Sequence, residues 1–345
     1  MFKNIKDQFP ICKKKTKGKE LVYLDSANSS QKPQSVIDAV SNFYSNEFAN
    51  VGRGIYTLAV NASEMYENSR SSLKNFIGAS SDFEIVFTKN ATEAINLVAY
   101  AFSNATDKAR QGIEVDQRFV IGPGDSIVVS EMEHHANLIP WQELCAKTGA
   151  SLRWFAVTDE GRLNIEPGVI DSTTKCVSIV HQSNLLGTIN PVSEIMEMAH
   201  AVGALGMVDL CQSVPHMPVN VADLGADFAA WSGHKMLGPT GIGILWGKSD
   251  LLNSMPPFLT GGSMIEMVNI DHSTFAPAPK RFEAGVPMVA QAVGLARACE
   301  YLRDLGMENV YEHERELTAY TLAELAKLDG VRVIGPTDMA ERGSA

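Results

Sequence analysis

The sequence predicts an α/β fold built on a mainly parallel sheet with helices on both faces. From about residue 80, short β-rich runs alternate with helical patterns, as in folds that wind strand and helix in turn. The runs are apolar nearly throughout, which is typical of strands buried on both faces. Polar residues follow the runs where each strand ends, and this is the edge at which open parallel sheets bind ligands.

The predicted elements follow one another along the chain. We expect strands at 83–88, 125–130, 175–181, 206–210, 228–231 and 242–246. We expect helices at 93–102, 141–147, 192–202, 287–305 and 310–328, followed by a short strand at 331–334. Two helices and one strand cannot complete a sheet, so the last elements predict a smaller α+β domain that the chain contains only in part.

Composition limits the kind of protein this is. The chain has 345 residues, with 29 basic and 40 acidic side chains and a net charge of −11, which argues against nucleic acid or an anionic membrane as partner. The first residues lack the apolar core of a signal peptide and no run could span a bilayer, so we expect a cytoplasmic protein. Five scattered cysteines predict buried reduced thiols rather than disulfides.

Five polar residues follow the predicted strands in turn. Thr92, His134, Asn184, Asp209 and Lys235 each come directly after a strand or close one. Asn184 and Asp209 lie 25 residues apart, and Asp209 and Lys235 lie 26 apart, which is about one βα unit each time. Because the carboxyl ends of parallel strands meet at one edge, we expect these residues to converge there.

These residue types together match the needs of pyridoxal 5'-phosphate (PLP). This cofactor requires a lysine for the Schiff base, a carboxylate for the pyridinium nitrogen, a flat side chain for the ring and helix N-terminal donors for the phosphate. Lys235, Asp209, His134 and the turn at 90–93 can fill these roles. The sequence therefore predicts a PLP enzyme whose cofactor is bound by Lys235.

Each residue also has a simpler interpretation. A lysine such as Lys235 is usually a surface residue, Asp209 could cap a helix, and Thr92 could cap its own helix. His134 and His135 could bind a metal. Adjacent histidines point apart on regular structure, however, and no cysteine or carboxylate cluster follows them at ligand spacing, so we expect no metal site.

Ten segments match the motifs of one enzyme family in the order in which that family has them. They are 24–27 (LDSA), 31–33 (QKP), 53–55 (RGI), 92–96 (TEAIN), 132–137 (MEHHAN), 183–188 (SNLLGT), 208–212 (VDLCQ), 232–241 (SGHKMLGPTG), 261–265 (GGSMI) and 281–285 (RFEAG). On these motifs the chain resembles cysteine desulfurases of the SufS type, in the class V aminotransferase group of fold-type I PLP-dependent transferases. That fold has a seven-stranded-type sheet.

The resemblance implies the catalytic and ring-binding roles. Lys235 would form the Schiff base, and His134 would stack on the PLP ring and assist proton transfers. Asp209 would pair with the pyridinium nitrogen, and Gln212 would hydrogen-bond the phenolic oxygen of the ring.

The remaining roles follow from the same resemblance. Thr92, Ser232 and His234 would hold the phosphate. Asn184 would lie beside the cofactor and the carboxylate of the substrate. Arg53 matches an arginine at the entrance of the family's active site and is a candidate substrate-binding residue.

The resemblance also implies function and organisation. The reaction would convert L-cysteine to L-alanine, with the sulfur passed as a persulfide to an acceptor protein, for iron–sulfur cluster assembly. We expect a homodimer with an N-terminal arm at 1–19 that packs with the small domain. A large PLP-binding domain would cover 20–285, and the start of an incomplete small domain 286–345.

The sequence departs from the family at two places. Val286 stands where many members have a threonine that reaches the phosphate of the neighbouring subunit. The family's nucleophilic cysteine lies in an RxGHHC motif, which we expect beyond Ala345; the chain would then be C-terminally incomplete. Cys211 is the nearest substitute, but alternation along a strand predicts that it points away from Asp209, into the core.

Two alternatives to a cysteine desulfurase stay open on the sequence. A lyase acting on L-selenocysteine would release selenium without a cysteine nucleophile. An inactive protein with the PLP fold could serve as an assembly partner.

Overall fold

The structure is a computed structural model that describes residue 2 and residues 4–52 and 54–344. The helices are α1 (Gln34–Asn42), α2 (Thr57–Phe76), α3 (Ala91–Arg110), α4 (His135–Thr148), α5 (Val192–Ala201), α6 (Ser249–Ser254), α7 (Val289–Leu305) and α8 (Met307–Leu325). The strands are β1 (Lys15–Thr16), β2 (Lys19–Glu20), β3 (Ile85–Thr88), β4 (Ser126–Ser130), β5 (Ser151–Val157), β6 (Leu163–Asn164), β7 (Thr174–Val180), β8 (Leu205–Asp209), β9 (Phe228–Ser232), β10 (Gly243–Gly247), β11 (Ile265–Val268) and β12 (Ser273–Phe275).

The central sheet has eight strands in the order β3-β10-β9-β8-β7-β4-β5-β6. Strands β5, β4, β7, β8 and β9 are parallel to one another. Strand β10 runs antiparallel between β9 and β3, and the two-residue β6 pairs antiparallel with β5. The predicted mainly parallel α/β sheet is confirmed, with seven main strands and the short β6 as an eighth.

Successive residues of the strands face opposite layers of helices. Ile85 and Phe87 of β3 pack into a core formed with α2, α5 and α7, whereas Val86 packs into a second core formed with α3, α4 and α6. In β8, Val208 packs into the first of these cores and Met207 into the second. Both faces of the sheet are therefore apolar, which explains the nearly continuous apolar runs in the sequence.

The predicted strands of the sheet are all present, with ends within two residues of their expected positions. Strand β5 was not predicted, because it lies near the edge of the sheet and carries polar and exposed residues such as Arg153. The strand predicted at 331–334 is wrong. Val331 and Ile334 are 48% and 58% exposed, and no strand pairs with this segment within the described residues.

The five predicted helices are also present, although α3 and α4 are longer than expected. Helices α1 and α2 were not predicted from the sequence. The face of α2 that packs on the core carries small or polar residues such as Ala59, Ala62 and Ser69, which weaken its apolar periodicity. Among the described residues, no helix is long and apolar enough to cross a membrane.

A buried ion pair joins α2 to the loop that precedes α7. The two terminal guanidinium nitrogens of Arg70, Nη1 and Nη2, donate to the Glu283 carboxylate at 2.8 and 3.0 Å. That carboxylate also accepts hydrogen bonds from the Tyr66 hydroxyl at 3.0 Å and the Phe87 amide at 2.8 Å. With Arg70 only 2% exposed, the pair fixes α2, β3 and the 281–285 motif to one another.

We expect the substitution Arg70→Met to lower the free energy of unfolding by about 3–5 kcal/mol, because it leaves the Glu283 carboxylate buried without a cation. Urea denaturation followed by circular dichroism measures this change. The control Lys327→Met removes an exposed pair with Glu324 and should cost less than ~1 kcal/mol. Equal effects of the two substitutions would contradict this account of the pair.

Candidate active site

A cavity of about 220 Å³ lies at the carboxyl ends of the parallel strands. Eight of the predicted site residues line it: Thr92, His134, Asn184, Asp209, Gln212, Ser232, His234 and Lys235. The convergence expected from the strand ends is therefore observed for Thr92, His134, Asn184, Asp209 and Lys235, and the three residues named on the family resemblance join them. Arg53, the ninth, lies outside the residues that the structure describes.

The antiparallel strand β10 sets the distance between the N-terminus of α3 and the end of β9, which both border this cavity. Its first residue, Gly243, pairs with Thr88 at the end of β3 and with Ser232 at the end of β9. A Cβ atom on Gly243 would lie 2.5 Å from the backbone of Asn90 and 2.9 Å from the nitrogen of Ala91. Only glycine therefore allows the N-terminus of α3 to lie this close to the end of β9.

The N-terminus of α3 offers free hydrogen-bond donors to the cavity. Asn90 is the N-cap of α3, since its side chain accepts from the amide of Glu93 at 2.9 Å. The Ser232 hydroxyl accepts from the Ala91 amide at 2.9 Å. The Thr92 amide has no hydrogen bond within the described residues, and the side chain lines the cavity. The alternative that Thr92 caps its own helix is wrong, and the free amide at a helix N-terminus suits an anion.

Asp209 supplies a buried carboxylate on the neighbouring strand end. Its Oδ1 accepts from the amide of Cys211 at 2.9 Å, which closes a turn rather than capping an α-helix. The pKa of the nearby Glu133 carboxyl is raised to about 8, mainly by burial and also by the charge of Asp209. The raised pKa favours the neutral form of Glu133, and Asp209 is the one acidic side chain among the described cavity-lining residues.

His134 is the N-cap of α4 and borders the same cavity. Its Nδ1 accepts from the amide of Ala136 at 3.1 Å, which assigns the ring proton to Nε2 in the neutral form. Burial lowers the pKa of His134, the positive charge of Lys235 lowers it further, and Asp209 opposes both. The ring is therefore a neutral imidazole at neutral pH.

A buried hydrogen-bond network supports His134, and sequence reasoning did not identify its members. Glu133 accepts from the Ser130 hydroxyl at 2.6 Å, from the Val180 amide at 3.0 Å and from the Asn137 side chain at 2.6 Å. The Asn137 carbonyl in turn accepts from Ser178 at 2.6 Å. Glu133 and Asn137 both belong to the MEHHAN segment, which was the available signal.

Lys235 lies in a 3-10 turn, Gly233–Lys235, that directly follows β9; we call it the Lys235 turn. The side chain is half-buried and reaches the cavity. Among the described residues, its amino group makes neither a hydrogen bond nor an ion pair. The interpretation of Lys235 as an ordinary surface residue is therefore wrong, and its amino group is available for chemistry.

Cys211 is placed differently from the expectation. Cys211 lines the cavity beside Asp209 rather than pointing into the core. Residues two apart along an extended chain face the same side, so alternation places Cys211 with Asp209 and not away from it. Burial, reinforced by the Asp209 carboxylate, raises the pKa of the Cys211 thiol well above its usual value. The thiol stays protonated, which is unfavourable for a nucleophile.

The cavity also contains buried polar atoms without partners. Both amide atoms of Gln182 and the Oε1 of Gln212 form no hydrogen bond among the described residues, whereas Gln212 Nε2 donates to the Ala27 carbonyl at 2.7 Å. Such atoms are rare in an otherwise satisfied interior and indicate a polar occupant. With the free α3 amide, the Asp209 carboxylate and the free Lys235 amine, the donor set fits PLP. Within the described residues, no group of three or more potential metal ligands converges.

The architecture and the site are those of an α/β enzyme that holds an anionic cofactor at a parallel sheet edge. Residues 22–345 match the model of the aminotransferase class-V family. The chain belongs to that family.

The names of individual relatives all give the same activity. A probable cysteine desulfurase 2 of Mycobacterium leprae is 50% identical, over 99% of this chain and 79% of that protein. A cysteine desulfurase of Haloferax volcanii is 48% identical, over 96% of this chain and 78% of that protein.

Solved structures agree with the sequence comparison. The apo cysteine desulfurase of Thermococcus onnurineus NA1 superposes with a TM-score of 0.87 at 34% identity, covering 99% of this chain and 80% of that one. The cysteine desulfurase CsdA of Escherichia coli, in an S-sulfonic acid form, gives a TM-score of 0.83 at 35% identity, covering 97% and 80%. The α/β fold of this chain is therefore the fold of these enzymes.

We expect the substitution Gly243→Ala to weaken PLP binding, because the added methyl group displaces the backbone of Asn90 and moves the N-terminus of α3 away from Ser232. Overpacking of this kind should also lower the free energy of unfolding by about 1–3 kcal/mol. A PLP titration followed by absorbance and a urea titration measure the two effects. The control Gly122→Ala meets no atom within 4 Å and should change neither. An unchanged affinity in Gly243→Ala would contradict the role given to this glycine.

Proposed function

We propose that this protein is a PLP-dependent cysteine desulfurase, which converts L-cysteine to L-alanine and transfers the sulfur to an acceptor. The observation that carries the proposal is the meeting of a free Lys235 amine, a buried Asp209 carboxylate and a free helix N-terminus at one sheet edge. Relatives that are 48–50% identical to this chain, over 96–99% of its length, are named for this activity.

Lys235 and Asp209 would carry the central chemistry. PLP, when bound, withdraws electrons from the substrate and so weakens the bonds at its Cα and Cβ atoms. Lys235 would hold the cofactor covalently and, once released by the substrate amine, take the proton from Cα on its Nζ. Asp209 would accept a hydrogen bond from the ring nitrogen and keep that nitrogen protonated, because it is the charged acceptor on this wall.

Other residues would hold and orient the cofactor. The Thr92 amide and hydroxyl, with Ser232 and His234, would bind the phosphate at the positive end of α3. The neutral ring of His134 would cover the cofactor ring and accept or return a proton at Nε2. Gln212 would hydrogen-bond the phenolic oxygen of the ring, with its unpartnered Oε1 accepting the phenolic proton.

Two residues are proposed for the substrate. Asn184 lines the cavity close to the end of β7, and its amide would orient the carboxylate of L-cysteine. Arg53 would bind the substrate at the entrance, on the family resemblance alone. The raised pKa of the Cys211 thiol argues against Cys211 as the group that accepts the sulfur.

We also propose the division of the chain and its assembly. Residues 20–285 would form the PLP-binding domain and 286–345 part of a small domain, with 1–19 as an arm packed on it. Contacts of Phe9 with Tyr301, at 6.2 Å between ring centroids, support the arm. A homodimer is proposed on the family resemblance. Val286, which is 86% exposed, lacks the hydroxyl with which the family's threonine reaches the phosphate of the neighbouring subunit, so that contact would not come from this side chain.

The cellular setting is proposed on the same basis. The five cysteines are free thiols, which supports a reducing, cytoplasmic environment. The sulfur acceptor would be a protein, and iron–sulfur cluster assembly would be the process it serves.

The direct test is product analysis with PLP, L-cysteine and a thiol reductant. Alanine and sulfide formed in equal amounts would support a cysteine desulfurase. Release of selenide from L-selenocysteine, with L-cysteine inert, would instead support a selenocysteine lyase. A protein that takes up no PLP would contradict both and leave the assembly-partner alternative.

We expect the substitution Lys235→Ala to abolish the absorption band of bound PLP in the near-visible ultraviolet and the formation of alanine, because Lys235 is the one amine among the described residues that line the cavity. Absorbance spectra of the purified proteins measure the first effect. The control Lys19→Ala changes an exposed lysine on β2 and should behave as the wild type. A normal band in Lys235→Ala would refute the assignment of this lysine.

A further inference from the structure

The carbonyl of His234, the residue directly before Lys235, accepts three hydrogen bonds from the loop that precedes α1. The Ser30 amide donates at 3.1 Å, the Ser30 hydroxyl at 3.0 Å and the Lys32 ammonium at 2.8 Å. Three donors on one carbonyl exceed the two lone pairs that such an oxygen offers. This part of the Lys235 turn is therefore held more firmly than an ordinary turn requires.

The same loop holds the chain on the other side of Lys235. The Ser30 hydroxyl, which donates to His234, also accepts from the amide of Leu237 at 2.9 Å. Leu237 has a φ of +64°, a left-handed conformation that costs a leucine on the order of 1 kcal/mol and persists where its surroundings fix it. Ser29 adds a contact at 3.2 Å to the ring of His234.

Lys32 is an unusual choice for a contact of this kind. Its ammonium is half-buried, has no acidic partner among the described residues, and also donates to the Ser30 carbonyl. Burial lowers the pKa of Lys32 to about 8. Because an unpaired buried cation is costly, a purely structural link would be formed more favourably by a neutral donor. A charged donor gives a shorter and stronger hydrogen bond, which fixes the carbonyl more tightly.

We propose that Lys32, together with Ser30, is a positioning residue for Lys235. The two residues lock the peptide on either side of Lys235, so that its side chain points into the cavity and reaches the cofactor without a search through other backbone conformations. The inference rests on the proposed function in one respect, namely that Lys235 is the residue that binds PLP.

The test compares the rate of PLP uptake in two substitutions of Lys32. The full chain, freed of cofactor, is mixed with PLP and the growth of the bound-PLP absorption is followed. Lys32→Met keeps the aliphatic stem without the donors and should slow uptake about tenfold, as expected for loss of a hydrogen bond to a charged group. Lys32→Arg keeps the charge and should recover most of the rate, while Lys19→Met should match the wild type.

The melting temperature without PLP separates positioning from stability. Positioning predicts that Lys32→Met slows uptake while its melting temperature stays close to that of Lys32→Arg. Wild-type uptake in Lys32→Met would overturn the proposal, and so would equal slowing and equal destabilisation in both substitutions. Ser30→Ala removes the hydroxyl contacts to His234 and Leu237 and should slow PLP uptake to the same extent. Wild-type uptake in Ser30→Ala would also contradict the positioning proposal.

Failure of this inference and failure of the proposed function give different results. A wild-type chain that takes up no PLP refutes the proposed function, whatever the variants do. A wild-type chain that takes up PLP, with Lys32→Met and Ser30→Ala equally fast, refutes the positioning role alone.

Discussion

The site depends on the insertion of one antiparallel strand, β10, between β3 and β9. Because β10 runs the opposite way, the strands on either side of it run the same way and end at the same edge. The N-terminus of α3 and the Lys235 turn therefore meet across the width of a single strand. Gly243 lies between them, and the Ser232–Ala91 hydrogen bond exists because this residue has no side chain.

The charges around the cavity are arranged for one anionic and one cationic partner group. Burial raises the pKa of Glu133 and lowers the pKa of His134, which in both cases favours the neutral form and leaves Asp209 and Lys235 as the charged pair. The free amide of Thr92 gives the opposite wall a positive character. A cofactor with a phosphate at one end and a basic ring nitrogen at the other fits this distribution.

The polar residues that follow the apolar strands allowed most of the site to be predicted from the sequence. Asp209 and Lys235 follow strongly apolar strands, so their common edge could be predicted from chain order. Gln182, Glu133 and Lys32 were missed, because their roles depend on which buried atoms lack partners and on loops distant in sequence. Cys211 was misplaced because alternation puts residues two apart on the same side, which places Cys211 with Asp209 at the cavity. The strand at 331–334 failed because composition alone does not supply a pairing neighbour.

The central claim is that the sheet edge directs PLP to Lys235 and to no other amine. Borohydride reduction of the PLP-loaded protein fixes the cofactor on whichever lysine holds it, and peptide mass spectrometry locates the modified residue. The account predicts modification at Lys235, with Lys32 unmodified although the lowered pKa of its amine favours reaction. Modification at Lys32, or spread over several surface lysines, would contradict it.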